Sequence, residues 1–483
     1  MDFDGNFTIR PRMSVLSGEE IDSLYGGALE VLERVGVRVL HPEALGLLRE
    51  AGVTVEPNSL VKIRPALVEK AIRSVPKRLI IYDRSGKAAM KLGGGNTGGM
   101  NTYYGTGSDL KNTYDPWTGE LRPSVSQDIA NMAKVADSLP HLEFLMSHGI
   151  PSDCPLDQVY RTEFAQMVKN STKPIVFTSD NGEDSRRIIE MAAVVAGGTE
   201  KLRERPFVIN YSQPTSPLQH SLDALGKVFA CAEMGIPVVY PPGMIPGATA
   251  PSTMAGAITQ SIAESLSVLV IHQLKREGAP IILCGAHGWL DMTSAINVYA
   301  APGRLMTQAA LTAFYQRFEI PTWGFGGCTD AQVFDQQAGI EFAMINLWAS
   351  LCGVNLAHYT GYMGSGMIGC LRSLVYNDEM ISYVRHILCR GVVVNKETRA
   401  LDVLERVGPG GHFMMDEHTL RHFREEFWRP SLSNRDRYEA WKEKGARTVG
   451  EKAGEKVQKI LEEHVPNPLS QDVVQELERM RTA

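Results

Sequence analysis

From Ser126 onward the chain repeats one unit, a short apolar run followed by a helical pattern, and no other feature limits the possible folds so much. The runs fall at 142–146, 174–178, 207–211, 237–240, 280–284, 321–325, 355–359 and 392–394. Helical patterns lie between them at 157–170, 218–234, 253–277, 303–318 and 372–389. Runs this short and this apolar suit strands buried on both faces, which in parallel sheets are joined by helices. Residues 321–351 show the unit most clearly. Thr322 to Phe325 is a strand candidate, Gly326-Gly327-Cys328-Thr329-Asp330 turns the chain, and Asp335 can cap a helix. Ile340, Met344, Leu347 and Leu351 then recur at helical spacing. Eight such units predict an α/β fold, a (β/α)8 TIM barrel of about 250 residues. An open doubly wound sheet is the rival, but it seldom needs eight regular units.

The rest of the 483 residues reads as additions to that barrel. Residues 1–125 form an N-terminal α+β extension, 126–406 the barrel and 407–483 a C-terminal extension that wraps it. Ser17-x-x-Glu20 is a capping box ahead of a helix, 65–75 reads as a second helix and 79–82 as a strand. The Gly-, Asn- and Tyr-rich stretch 93–119 is too aromatic for a linker and is read as an ordered loop or hairpin. A net charge of -6 argues against nucleic acid as the main ligand, and no run of about 18 apolar residues predicts a membrane span. The N-terminus carries two aspartates and no apolar core, unlike a signal peptide. Seven cysteines, scattered and without a C-x-x-C, point to reduced thiols and a cytoplasmic location.

Parallel α/β folds do their chemistry beyond the strand C-termini. There the sequence places His148, Asp180, Tyr211, Gln213, His287, Cys328, Asp330, His358, Tyr359 and Tyr362, an aromatic and polar mouth with few full charges. Aromatic faces attract cations by about 0.5–2 kcal/mol each. A quaternary ammonium group is therefore a natural guest, although such rings also close many strands by packing alone. Gly364-Ser-Gly366-Met-Ile-Gly369 fits G-x-G-x-x-G but is not in a first βα turn, so close backbone packing is its simpler reading. His418 and His422 lack a third ligand, and no metal site is expected. Cys328 reads as a packed thiol.

Several motifs in order resemble the trimethylamine methyltransferase superfamily. They are Asp115-x-x-Thr118-Gly119-x-x-Arg122, Met244-x-x-Gly247-x-Thr249-x-Pro251, Ala263-Glu264, Asp330 with Asp335-x-Gln337 and Glu341, Leu374 with Asp378-Glu379, and the late Gly-Pro-Gly-Gly. The resemblance implies a barrel enzyme that moves a methyl group from an amine to the cobalt of a separate corrinoid protein. Founding members carry pyrrolysine; this chain has standard residues only, and so resembles the relatives that use glycine betaine. Proline betaine, carnitine and γ-butyrobetaine present the same two charged groups. A phosphate-ligand barrel enzyme and a non-catalytic betaine-binding protein are the other function classes.

The resemblance further implies a cognate corrinoid protein as partner and no tightly bound cofactor. The family's cobalamin motif D-x-H-x-x-G is not met, since Asp416-Glu417-His418 is followed by Arg421 where glycine is needed. A homo-oligomer is expected. Asp330 is the expected catalytic residue, and Gly326, Gly327, Cys328 and Thr329 are expected to face the cobalamin. An aromatic cage drawn from Tyr104, Tyr211, Phe325, Tyr359 and Tyr362 would hold the ammonium group. His287, His358 or a nearby arginine would meet the carboxylate, because an unpaired carboxylate in such a pocket is costly.

Overall fold

Parallel pairing runs round a ring of eight short strands in the computed structural model, which describes residues 13–94, 101–285, 288–390 and 392–482. They are β1 (Tyr103–Tyr104), β2 (residues 144–145), β3 (Ile175–Phe177), β4 (Val208–Tyr211), β5 (Val238–Val239), β6 (Ile281–Ile282), β7 (Trp323–Phe325) and β8 (Leu356–His358). Gly105 bridges Phe144, and Leu145 bridges Ile175. β3 pairs with β4, β4 with β5 and β5 with β6. Leu283 bridges Thr322, β7 pairs with β8, and β8 returns to β1 through Leu356–Tyr103 and Ala357–Tyr104. The fold is a TIM barrel.

One strand differs from expectation. Residues 392–394 form no strand, and their side chains lie exposed. A buried parallel strand needs a neighbour on each side, and the slot between β8 and β2 is taken by Tyr103–Tyr104, inside the stretch read as N-terminal extension. Three valines have strand propensity but no ladder to join.

All eight strands send side chains inward: Tyr103, Phe144, Val176, Ile209, Val239, Ile282, Trp323 and Leu356 form one cluster. The antiparallel hairpin Arg78–Tyr82 with Ala88–Gly93 adds Leu79, Ile81, Met90 and Leu92 to it. This hairpin bonds to Pro206 and Thr172, which precede β4 and β3, so it plugs the N-terminal end of the barrel. The C-terminal end is left as the mouth.

Around the barrel, helix Gly18–Glu30 starts with the expected reciprocal cap between Ser17 and Glu20. It packs with Pro42–Glu50 and Pro65–Ser74 on helix Met254–Lys275. That last helix is long and apolar enough to cross a membrane, but 78% of its apolar window is buried within the fold. Helices Val449–Glu463 and Gln471–Thr482 pack back on barrel helices. In helix Gln336–Cys352 Asp335 caps as expected, yet the stripe read from the sequence faces out: Ile340 is 65% and Met344 49% exposed. The helix is apolar on most of its circumference, and the barrel takes the stripe of Ala338, Phe342, Ile345 and Ala349 instead.

Candidate active site

Alternation along each strand decides which rings reach the mouth. Ile209 and Trp323 point inward, so Tyr211 and Phe325, two residues on, form the layer above them; His358 does the same above Leu356. Tyr359 and Tyr362 follow β8. Ring centroids lie 5.8 Å apart for Tyr211–Trp323, 6.3 Å for Tyr211–His358, 3.5 Å for His358–Tyr359 and 4.7 Å for Tyr359–Tyr362. Tyr299, in the loop after β6, extends this wall at 5.3 Å from Tyr359. Burial pushes the hydroxyls of Tyr359 and Tyr362 well above their ordinary range, so the rings remain neutral. The structure thus brings together four of the five expected rings, Tyr211, Phe325, Tyr359 and Tyr362.

Tyr104 does not join them. Its neighbour Tyr103 faces the barrel interior, which turns Tyr104 outward, where its hydroxyl meets Asn346 O at 2.7 Å and Ser350 Oγ at 2.6 Å. The wall also holds a cation of its own. The guanidinium of Arg304 lies 3.9 Å from the Phe325 centroid, 4.3 Å from Tyr299 and 5.5 Å from Tyr359, and donates to Tyr299 O at 2.8 Å. These ring faces already satisfy a buried positive charge, so a second cation must use the half-exposed sides of Tyr211, Tyr299 and Tyr359.

An acid stands opposite. Asp109, in the loop after β1, keeps an exposed side chain, yet its charge acts on Tyr160, Glu163, Tyr211, Tyr362 and Lys227. Water reaches it while protein surrounds it, as at the wall of a funnel. It adopts a φ of 66°, a conformation aspartate tolerates better than most residues, and Ser108 Oγ donates to it at 2.9 Å. The hydroxyl of Tyr362 donates to Ser108 O and so ties this loop to the aromatic wall. Burial holds the Asp109 carboxyl above its ordinary range. Glu163 lies deeper, with Oε2 accepting from Thr178 at 3.2 Å and Oε1 unpartnered; burial, then the charge of Asp109, push its carboxyl well above the ordinary range.

Asp330 stands at the expected end of the barrel, but both its oxygens are engaged. Tyr299 N donates to one at 2.6 Å, Ala300 N to the other at 2.8 Å, and Ser365 Oγ adds a third bond at 2.8 Å. Through these bonds it holds Tyr299 in the wall. The Gly364–Gly369 loop serves the same end: a Cβ on Gly366, at φ 79°, would lie 2.6 Å from the Tyr299 ring. Gly326, Gly327, Cys328 and Thr329 are all buried, so none offers a surface to a docked corrin. Thr329 Oγ1 and Asp330 N both donate to Glu341, and Gly327 N donates to Asn346 Oδ1 at 2.9 Å. Burial pushes the Cys328 thiol up to about 12, consistent with a packed thiol. A Cβ on Gly327 would lie 2.4 Å from Asn377 Oδ1. Gly327→Ala should therefore cost about 1–3 kcal/mol and lower the thermal midpoint; an unchanged midpoint would mean the turn has room to shift.

His358 cannot serve as the expected carboxylate donor. Its Nδ1 bonds to Gly324 O, and a carbonyl only accepts, so Nδ1 carries the proton. Burial lowers its pKa to about 3, leaving Nε2 an unprotonated, unpartnered acceptor. His287 lies outside the described residues. The sequence reading missed Asp109, Glu163, Tyr299 and Arg304. Only Asp109 had a signal: with Tyr103–Tyr104 recognised as a strand, Gly105–Asp109 becomes a strand-end loop.

The family model described as trimethylamine methyltransferase (MTTB) matches residues 6–482. A trimethylamine methyltransferase MttB of Desulfitobacterium hafniense is 32% identical over 459 residues, covering 95% of this chain and 91% of that protein. A glycine betaine methyltransferase from the same species is 27% identical, covering 96% and 95%. Among solved structures, the monomethylamine methyltransferase of Methanosarcina barkeri superposes with a TM-score of 0.53 at 12% identity, over 96% of this chain and 90% of that one.

Proposed function

The chain belongs to the trimethylamine methyltransferase family, and we propose that it moves a methyl group from a quaternary amine to the Co(I) of a separate corrinoid protein. The observation that carries this reading is an aromatic wall at the barrel mouth, with half-exposed rings at Tyr211, Tyr299 and Tyr359, tied through the Tyr362–Ser108 bond to the loop that carries Asp109. A carboxylate and aromatic walls together suit a cation that has no proton to donate. The C–N bond breaks with its electron pair on the departing tertiary amine, and the corrinoid supplies the pair that forms the new bond to carbon. No proton moves, which agrees with a mouth whose tyrosines are held neutral by burial. The protein's part is to hold the ammonium group, orient one methyl outward and exclude water.

Glycine betaine is the first candidate, supported by the relative of that name; proline betaine, carnitine and γ-butyrobetaine share its charges. Among the described residues, Lys227, within charge range of Asp109, and Arg304 are cationic groups near the mouth that could meet a carboxylate. Asp109 itself favours a second reading, a quaternary amine without a carboxylate. The partner would dock over the same face, where Leu156, Met292, Ile296, Val333 and Met367 stand exposed on loops that follow strands. Reaction in the cytoplasm suits a chain with no disulfide among its described residues.

The test mixes the protein with a reduced cognate corrinoid protein and offers glycine betaine, the other betaines, tetramethylammonium and trimethylamine in turn. Methylation of cobalt, read from its absorbance spectrum, is expected with at least one quaternary amine. Activity with trimethylamine alone would sink the quaternary reading, and turnover of tetramethylammonium above all betaines would select the second.

A further inference from the structure

A cavity of about 270 Å³ lies outside the funnel, where the loop after β7 and the start of helix Leu371–Arg390 meet helix Val449–Glu463 and the hairpin Asn112–Tyr114 with Leu121–Pro123. Its walls are largely apolar, from Tyr114, Phe334, Leu371 and Val457, and none of the mouth's rings lines it. The walls are fixed within the chain: Tyr114 Oη donates to Gln332 O at 2.7 Å, and Phe334 stands edge-on to Tyr376 with ring centroids 5.1 Å apart. An apolar cavity of about 150 Å³ admits benzene, so this one has room for roughly ten non-hydrogen atoms. One charge in it is left open. Half-buried Arg372 lines the cavity, and among the described residues its guanidinium has neither a hydrogen bond nor an ion pair. Asp115 lines it too, but its oxygens are taken by Trp117 N, Thr118 N and Arg122. The helix makes room for this arginine at a cost. A Cβ on Gly454 would lie 3.0 Å from Arg372 Nε, and a glycine inside a helix is destabilising relative to alanine. Gly450, one turn earlier, leaves similar room for Phe334, 3.0 Å from where its Cβ would stand.

We propose that this cavity binds a small amphipathic carboxylate, its anionic end on Arg372 and its hydrocarbon body against Tyr114, Phe334, Leu371 and Val457. An arginine is charged at every physiological pH, and its planar fork meets a carboxylate through two parallel N–H bonds. A cation half out of water, lodged among apolar walls and left without an anion, is the one unmet demand of this cavity. The walls favour a guest with a hydrocarbon body over a bare inorganic anion. The single open guanidinium, with Asp115 beside it, suits one negative charge better than the two of a phosphate monoester. An occupant would join the C-terminal helix to the barrel loops, and so would raise the stability of the chain by mass action. This inference does not depend on the methyltransferase reading, because binding is measured on the chain alone.

Titration of the full-length chain with benzoate, benzamide, acetate and phenyl phosphate, followed by ligand-observed NMR, tests it. Benzoate is expected to bind at least about 10-fold more tightly than benzamide, its neutral analogue, as a charge-assisted pair of hydrogen bonds allows. It should also outbind acetate, which has no ring to bury. Arg372→Met keeps the stem and removes the charge; it should cancel the preference for benzoate over benzamide while the free chain melts as the wild type does. Should that variant misfold, Val333→Glu decides, since Val333 lines the same cavity from an exposed loop and a carboxylate there would compete for Arg372. No detectable binding of benzoate, equal affinities for benzoate and benzamide, or a preference that survives both substitutions would each overturn the proposal. Phenyl phosphate or acetate binding more tightly than benzoate would equally overturn it.

Discussion

Asp109→Asn raises KM for a quaternary amine by about 30- to 1,000-fold, corresponding to roughly 2–4 kcal/mol for one charge pair in a partly dehydrated site. The turnover number changes little, because the ammonium is most fully charged before the methyl leaves, and an interaction with that charge is mainly binding. A large fall in kcat at unchanged KM would contradict this role. The pH dependence follows from the carboxyl itself, which burial holds above the ordinary range while Ser108 opposes the shift. As pH falls through that raised value, Asp109 gains a proton and affinity for the cation drops. Above it, affinity levels off, and binding near it releases a proton. Isothermal titration in two buffers of different ionisation enthalpy measures that release, and the Asn variant should show neither the release nor the pH dependence. Glu163, the nearby acid, is not expected to replace it, since its Oε1 is buried and both burial and the charge of Asp109 disfavour its ionised form.

The barrel was legible because seven of its strands are apolar runs bounded by turns, and that pattern reflects burial on both faces. The eighth was not, because Tyr103–Tyr104 is two residues long and set among Gly, Asn and Thr, while three exposed valines at 392–394 imitate a strand better. The same slip hid Asp109, which becomes a strand-end residue only once Tyr103–Tyr104 is placed in the ring. Tyr299 ends a long excursion after β6 and Arg304 lies in the first turn of the helix Pro302–Arg317 that follows, and strand spacing says nothing about which of these side chains folds back over the mouth.

The motifs that carried the family resemblance are mostly scaffold. Asp115 accepts from Trp117 N and Thr118 N and pairs with Arg122, closing a hairpin beside the barrel. Glu264 holds the segment after β4 by accepting from Leu218 N and Ser216 Oγ. Asp330 holds Tyr299, and Glu341 holds Asp330. A buried carboxylate that collects backbone N–H groups cannot be exchanged without leaving those donors unpaired, so such positions mark a family even where they touch no substrate. The residues facing the funnel are freer to follow the substrate, which is why they are the harder ones to read.

Glu379→Ala should be the most destabilising single change at such a position, at about 3–5 kcal/mol. The buried carboxylate of Glu379 collects five donors from a return segment in the C-terminal extension: N and Oγ of Ser431, N of Leu432, and N and Oγ of Ser433. Alanine leaves the three backbone N–H groups without a partner, and they cannot all turn to water while Leu432 stays in the core. Glutamine is a poor substitute, since its NH2 must face donors on one side. Burial alone would raise this carboxyl, but the bonds to Ser433, Leu432 and Ser431 outweigh it and hold the pKa below 4.5. A carboxylate depressed on folding stabilises fully above the unfolded value and loses that contribution as pH falls through the folded one. The wild type should therefore lose stability below about pH 4.5, part of it through this group, and the Ala variant should lose less over the same range. Urea midpoints from pH 3 to 7, with proteolysis mapped near 428–434, provide the measurement. Equal midpoints for wild type and Glu379→Ala at pH 7 would show that the return segment is held by its helices alone.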